Sequence, residues 1–148
     1  MVDRRRVEEI FRNLDGYLAQ LRTLQRCSQS ELTEDPIRLG ATKYYLQVAV
    51  ESCIDVANRL IARQGWRKPN SFADVFAVLG EAGLLEQTFA RTLMRMAQFR
   101  NRLVHLYWDV DGPTIYQILQ ENLGDLEHFE AIVLGYLTDQ ARPGWNTL

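Results

Sequence analysis

The sequence is poor in the residues that build most recognisable chemical sites. It has two cysteines and two histidines, and Cys27 and Cys53 lack metal-type spacing. Both lie inside helical patterns, so they are expected as buried free thiols in a reducing cytosol. There is no glycine-rich phosphate loop, and no serine or cysteine stands in a recognisable nucleophile context. No apolar run approaches the ~18 residues of a membrane span. The opening Met1-Val2-Asp3-Arg4-Arg5-Arg6 is charged, but Val7-Glu8-Glu9-Ile10 follows in place of an apolar signal core. No secretion signal is read, and the expected location is cytoplasmic. Period-two segments, internal repeats and low-complexity tracts are also missing, which leaves no basis for a sheet. A large positive charge is absent as well. The net charge is −2, which argues against nonspecific coating of nucleic acid and leaves a local basic groove open. Lysine is scarce, at 2 against 15 arginines. Arginine's planar fork suits phosphate, and genome composition explains the bias equally well.

What remains is helix. A chain of 148 residues, 47% of them hydrophobic, is one domain with a real core. Val7, Ile10, Phe11, Leu14, Tyr17, Leu18, Leu21 and Leu24 recur at steps of three and four, predicting a first helix over about 3–29. Thr33 to Pro36 reads as a helix start with a Thr or Asp cap, and the second helix runs to about 63, before Gly65. It carries two apolar stripes, one through Leu46, Val50, Cys53, Ala57 and Leu60, the other through Tyr45, Ala49 and Val56. That places it at the centre of a bundle. Glu51 and Asp55 lie four apart on it and are read as a solvated edge or as ion-pair partners of Arg59. Ser71 is expected to cap a short third helix with Phe72, Val75, Phe76 and Leu79 inward. A fourth helix starts near 84 or 85 and runs to about Trp108. Pro113 opens a fifth that continues to about 138 with Ile115, Leu119, Leu126, Phe129, Val133 and Leu137 inward. The expected fold is all-α, a four-helix bundle with a short additional helix, spanning 1–138, followed by a loose tail over 139–148.

The fourth helix holds the one stretch that packing does not explain, Arg100-Asn101-Arg102-Leu103-Val104-His105-Leu106-Tyr107. Phe89, Leu93, Met96, Ala97, Leu103, Val104 and Tyr107 form its apolar side, and Arg100 falls near the centre of that side. A guanidinium does not deprotonate in a protein and is costly to bury unpaired. It therefore has a partner there, or that part of the stripe faces a polar cleft. Asn101 and His105 are four apart and share a face. A permanent cation, a proton-transferring imidazole and an amide form a minimal set for phosphoester chemistry. Arg100 and His105 are ~140° apart on a regular helix and do not converge. A long reach by the arginine, a helix that loosens after Arg100, or a second copy of the chain would each solve this. Arg91, Arg95 and Arg102 share a face, readable as a strip guiding a phosphate chain towards His105 or as the helix's solvated side. Tyr107 is either aromatic packing or an exposed phenol open to modification or to stacking on a base. His128 is read as structural or solvated.

The eight residues from Arg100 to Tyr107 resemble the R-N-x-x-x-H-x-Y motif of HEPN-domain proteins, specifically the HepT-like (DUF86) toxins of MNT/HEPN toxin–antitoxin pairs. The stretches 49–57, 71–76 and 83–85 and the Tyr107-Trp108 ending are similar to that family too, so the resemblance covers roughly 3–137. It implies a helical homodimer whose two motifs meet in a cleft. It also implies a metal-independent endoribonuclease toxin, without a cofactor, in which the RNA 2′-hydroxyl attacks the adjacent phosphate. Carried onto this chain, His105 would move protons, Arg100 would stabilise the transition state, and Asn101 would orient the histidine or the phosphate. The implied partner is an MNT-type nucleotidyltransferase antitoxin that can transfer AMP from ATP to the motif tyrosine, here Tyr107. The rival reading is a helical module without cleavage of its own, a regulatory or nucleotide-contacting partner of a nucleotidyltransferase, and the net charge mildly favours it.

Overall fold

The computed structural model describes residues 3–140; most of the tail expected over 139–148 lies outside them. The described residues form seven α-helices and one 3₁₀ turn, with no strand among them. The helices are α1 (Arg4–Gln25), α2 (Gln29–Thr33), α3 (Pro36–Gln64), α4 (Asp74–Glu81), α5 (Gln87–His105), α6 (Gly112–Glu121) and α7 (Leu123–Gln140), and the 3₁₀ turn is Tyr107–Asp109. No helix of the described residues is long and apolar enough to cross a membrane.

Helix α3 is central, as its two stripes predict, and packs against all six other α-helices. Asp35 caps it by accepting from the Ile37 and Arg38 amides, Pro36 takes the first turn, and Gly65 ends it in the left-handed region at φ 69°. The bundle is α1, α3, α5 and the broken helix α6–α7, with α4 beside it. Phe129 of α7 closes the core, meeting Phe11 of α1 and Phe76 of α4 edge-on, at centroid distances of 6.4 and 5.6 Å.

Several boundaries differ from expectation, each for a local reason. The segment 26–35 is not a plain turn: Ser28 and Glu31 form a capping box that starts α2. The fifth helix is two, broken where Asn122 turns its side-chain amide to Asp125 (2.9 Å) and its carbonyl to the Asp125 amide (3.2 Å). The fourth begins at Gln87 because the Leu84 and Leu85 amides both turn back to the Leu79 carbonyl, after Gly83 at φ 86°. Phe72 is not inward but half exposed, since α4 starts only at Asp74 and Phe72 sits on the turn before it. Cys53 is buried as expected, its thiol pushed up by that burial, whereas Cys27 is only half-buried; both are free.

One pair between α1 and α7 makes stability depend on pH. Burial first, then a hydrogen bond and the charge of Asp15, then the charge of Glu127, push the Glu130 carboxyl from 4.5 up to about 8. The folded chain therefore keeps a proton across that window which the unfolded chain has released. Stability is full below pH 4.5, falls as pH rises towards 8, and levels off above it. Glu130→Gln, which keeps the protonated shape, should melt near the parent's temperature at pH 4 and about 3–5 °C above it at pH 8. That corresponds to roughly 1 kcal/mol after allowing for the group's partial exposure. Thermal melts at pH 4, 6 and 8 decide it; parallel curves for the two proteins would remove Glu130 as the cause.

Candidate active site

The site forms where the end of α5 crosses the middle of α3, beside the loop 66–73 that leads into α4. Arg100 is on the seam between α5 and α3, its side chain 15% exposed. Of the two alternatives posed by the sequence the first holds, because it has a partner. Its Nε and Nη2 each lie 3.0 Å from Glu51 Oε1, and its Nη1 donates to Asn101 Oδ1 at 3.0 Å. Its Cζ lies 4.9 Å from the Phe72 ring centroid. Gln47, one turn earlier on α3, donates to the same Glu51 oxygen at 3.0 Å. The guanidinium is thus fixed in place by a carboxylate, an amide and an aromatic face, a preorganised cation at modest cost in desolvation.

Glu51 is the partner that sequence spacing missed. Asp55 takes Arg59 at 2.9 Å, as expected, but Glu51 points across to α5. The signal was present: a seam arginine needs a carboxylate, and the central helix offers one on the facing side.

His105 is the last residue of α5 and is exposed. No hydrogen bond or ring contact within the described residues engages its imidazole. It lines a cleft of about 450 Å³ with Asn58, Asn70, Ser71, Phe72 and Asn101. Arg100 is not part of that lining and is joined to it through Asn101 and Phe72. Helix α5 is regular through Arg100 and His105, so local loosening does not bring the two together. Asn101 shares the cleft with His105, but its oxygen is given to Arg100 and not to the imidazole.

After His105 the chain leaves the helix at Leu106, with φ −135° and ψ 46°. Val104 and Tyr107, expected on the apolar side, are exposed, and Trp108 is 79% exposed. Tyr107 lies on the 3₁₀ turn over the start of α3. Lys43, only 7% exposed, sits 4.2 Å from the Tyr107 ring centroid and donates to its carbonyl at 3.2 Å. Burial lowers the pKa of the Lys43 amine. This contact pins the turn; 46% of the tyrosine is exposed, with its hydroxyl over Gly40 of α3.

Arg91, Arg95 and Arg102 are exposed along α5. Arg91 borders a separate hollow with Gly80, Glu81 and Met94, and Arg95 reaches Thr92 at 3.3 Å. The cleft lining includes none of the three. His128 packs on Phe89 at 4.6 Å between ring centroids, a structural contact.

Residues 14–131 match the family described as ribonuclease HepT-like. The mRNA nuclease HepT of Shewanella oneidensis is 27% identical over 128 residues, covering 80% of this chain and 96% of that protein. Among solved structures, a tri-AMPylated Shewanella oneidensis HEPN toxin in complex with MNT antitoxin superposes with a TM-score of 0.81 at 23% identity, over 87% of this chain and 96% of that one. The cytosolic protein YutE of Bacillus subtilis superposes at 0.84 and 20% identity, over 96% and 95%.

Proposed function

The chain belongs to the HepT-like ribonuclease family, and on that premise we propose that it is the cytoplasmic toxin of a toxin–antitoxin pair, a metal-independent endoribonuclease that works as a homodimer. The observation that carries this reading is the imidazole of His105, unpartnered among the described residues, on the same cleft as the amide that holds Arg100. The relative named an mRNA nuclease supports RNA as the substrate.

In the proposed reaction a base removes the proton of an RNA 2′-hydroxyl, and its oxygen forms a bond to the adjacent phosphorus. The bond from phosphorus to the 5′-oxygen breaks, and that oxygen takes up a proton. The products are a 2′,3′-cyclic phosphate and a 5′-hydroxyl. His105 transfers protons. Arg100 stabilises the negative charge that builds on the non-bridging oxygens. Asn101 holds the Arg100 fork in register. Arg100 and His105 do not converge in one protomer, so the arginine of one subunit is assigned to the histidine of the other. The apolar surface around the motif supports such pairing: Ile37, Tyr44, Val104, Leu106 and Trp108 are all exposed large side chains.

Control falls to Tyr107. The AMPylated toxin bound to an MNT antitoxin is the relevant relative. Here the Tyr107 phenol oxygen would attack the α-phosphorus of ATP, losing its proton and expelling pyrophosphate. The bulky anionic adduct would stand two residues from His105 and repel the RNA backbone. Arg91, Arg95 and Arg102 would serve as outlying phosphate contacts along α5.

One observation favours the second reading, a partner of a nucleotidyltransferase that does not cleave. Glu51 already neutralises Arg100, and a satisfied guanidinium is a weaker phosphate ligand. Incubating the purified protein with RNA in EDTA and analysing the product ends separates the two. Cleavage that leaves cyclic phosphate ends is expected. Intact RNA together with tight, ATP-dependent binding of the nucleotidyltransferase would select the second reading.

A further inference from the structure

The cleft beside His105 is roomier than one phosphate needs, and its lining is of a different kind. At about 450 Å³ it falls in the ~300–1,000 Å³ range of small-ligand sites. Phosphates are gathered by cations, yet this lining contains no arginine or lysine. It presents three carboxamides, from Asn58, Asn70 and Asn101, with an aromatic ring, Phe72. No hydrogen bond within the described residues uses the Asn58 or Asn70 side chain, and only the oxygen of Asn101 is committed.

Phe72 is 49% exposed, and looseness does not explain it. Arg67 grips both oxygens of Asp74 at 2.7 and 3.0 Å, the Asn70 amide donates to Asp74 at 2.8 Å, and the Asp74 amide donates to Ser71 Oγ at 3.1 Å. The Arg67 guanidinium and the Asn70 amide hold the Asp74 carboxyl down at about 2. The turn is therefore clamped, and the exposed ring rides on a rigid platform with the Arg100 guanidinium near its face. Carboxamides both donate and accept, which matches the mixed pattern of a nucleobase edge, and aromatic rings stack on base faces.

We propose that this cleft is a nucleobase subsite, holding one of the two bases that flank the scissile linkage of single-stranded RNA. The base stacks on Phe72, its edge is read by Asn58 and Asn70, and its ribose-phosphate emerges beside Asn101 and His105. This rests on the nuclease reading above, and it adds where sequence preference comes from.

The test uses the full-length protein and two sets of four RNA oligonucleotides, each set varying one of the two flanking bases, together with uncleavable versions carrying a 2′-deoxy sugar at the cut. The wild type should show a spread of at least tenfold in kcat/KM among bases at one flanking position. Asn58→Ala and Asn70→Ala should each compress that spread to about threefold, and Phe72→Ala should weaken binding of every 2′-deoxy oligonucleotide about tenfold. Asn70 is on an exposed loop, so its variant keeps the test alive if Asn58→Ala fails to fold. A wild type indifferent to both flanking bases, or a preference unmoved in the Asn variants, overturns the subsite while His105-dependent cleavage stands. No cleavage by the wild type, with 2′-deoxy binding that still requires Phe72, sinks the nuclease reading and leaves the cleft as a nucleobase site without a scissile linkage. No binding of any oligonucleotide overturns both.

Discussion

His105→Ala is expected to lower the rate of RNA cleavage about 10²- to 10⁴-fold, the usual span for removing a positioned proton-transfer group, with little change in stability. The asymmetry follows from where the residue sits. It ends α5, is exposed, and has no bonded partner among the described residues, so its removal opens no cavity and orphans no buried group. Among the described residues, the folding contribution it can lose is its charge at a helix carboxyl end, about 0.3–1 kcal/mol when protonated. Cleavage kinetics and a thermal melt on the same preparation are enough. Retention of even a third of wild-type activity would remove His105 from proton transfer and leave the exposed imidazole without a role in the chemistry. Loss of activity with a melting temperature lowered by several degrees would assign it to structure. His105→Gln is the control for shape, since it keeps a hydrogen-bonding side chain of similar reach that transfers no proton.

The bundle was legible where local chemistry decides. Asp35-Pro36 and Gly65 mark both ends of α3 because a side-chain cap, a pre-set φ and a left-handed glycine act within a few residues. The end of α5 was not legible in the same way. Leu106, Tyr107 and Trp108 continue an apolar pattern, and what holds the turn beyond His105 includes Lys43 binding the Tyr107 carbonyl from 64 residues away. The site divides along the same line. Arg100 announces itself by standing on an apolar stripe, but spacing cannot identify a partner 49 residues away, and by spacing alone Glu51 reads as a solvated edge or a partner of Arg59. Asp55 and Arg59, at i and i+4, could be paired on sight. Helical spacing with Val75 and Phe76 predicts Phe72 inward. The Asp74 clamp delays the helix and turns that ring towards the cleft.

Arg100→Ala should lose about as much activity as removing an oxyanion-stabilising donor, on the order of 10²–10³-fold, and unlike His105→Ala it should also cost stability. Its side chain is 15% exposed against 34% for Glu51, so alanine leaves a half-buried carboxylate facing an apolar seam, worth about 1–3 kcal/mol. The two losses can be separated. Adding Glu51→Gln to Arg100→Ala removes the stranded charge and should recover most of the melting temperature with none of the activity. Recovery of both would mean that Arg100 matters only as a packing and pairing residue. The same variant then tests the division of labour between subunits. If a site is built from one protomer's Arg100 and its partner's His105, mixing Arg100→Ala with His105→Ala protein, with subunit exchange, restores one intact site in each mixed dimer. At equal mixing half of the dimers are mixed, so about a quarter of wild-type activity should return from two preparations that are each nearly dead. If both groups act within one protomer, every site in the mixture still lacks one of them and nothing returns. That outcome would leave the five-residue step without its proposed solution, because the regular turns of α5 keep Arg100 and His105 on different sides of the helix.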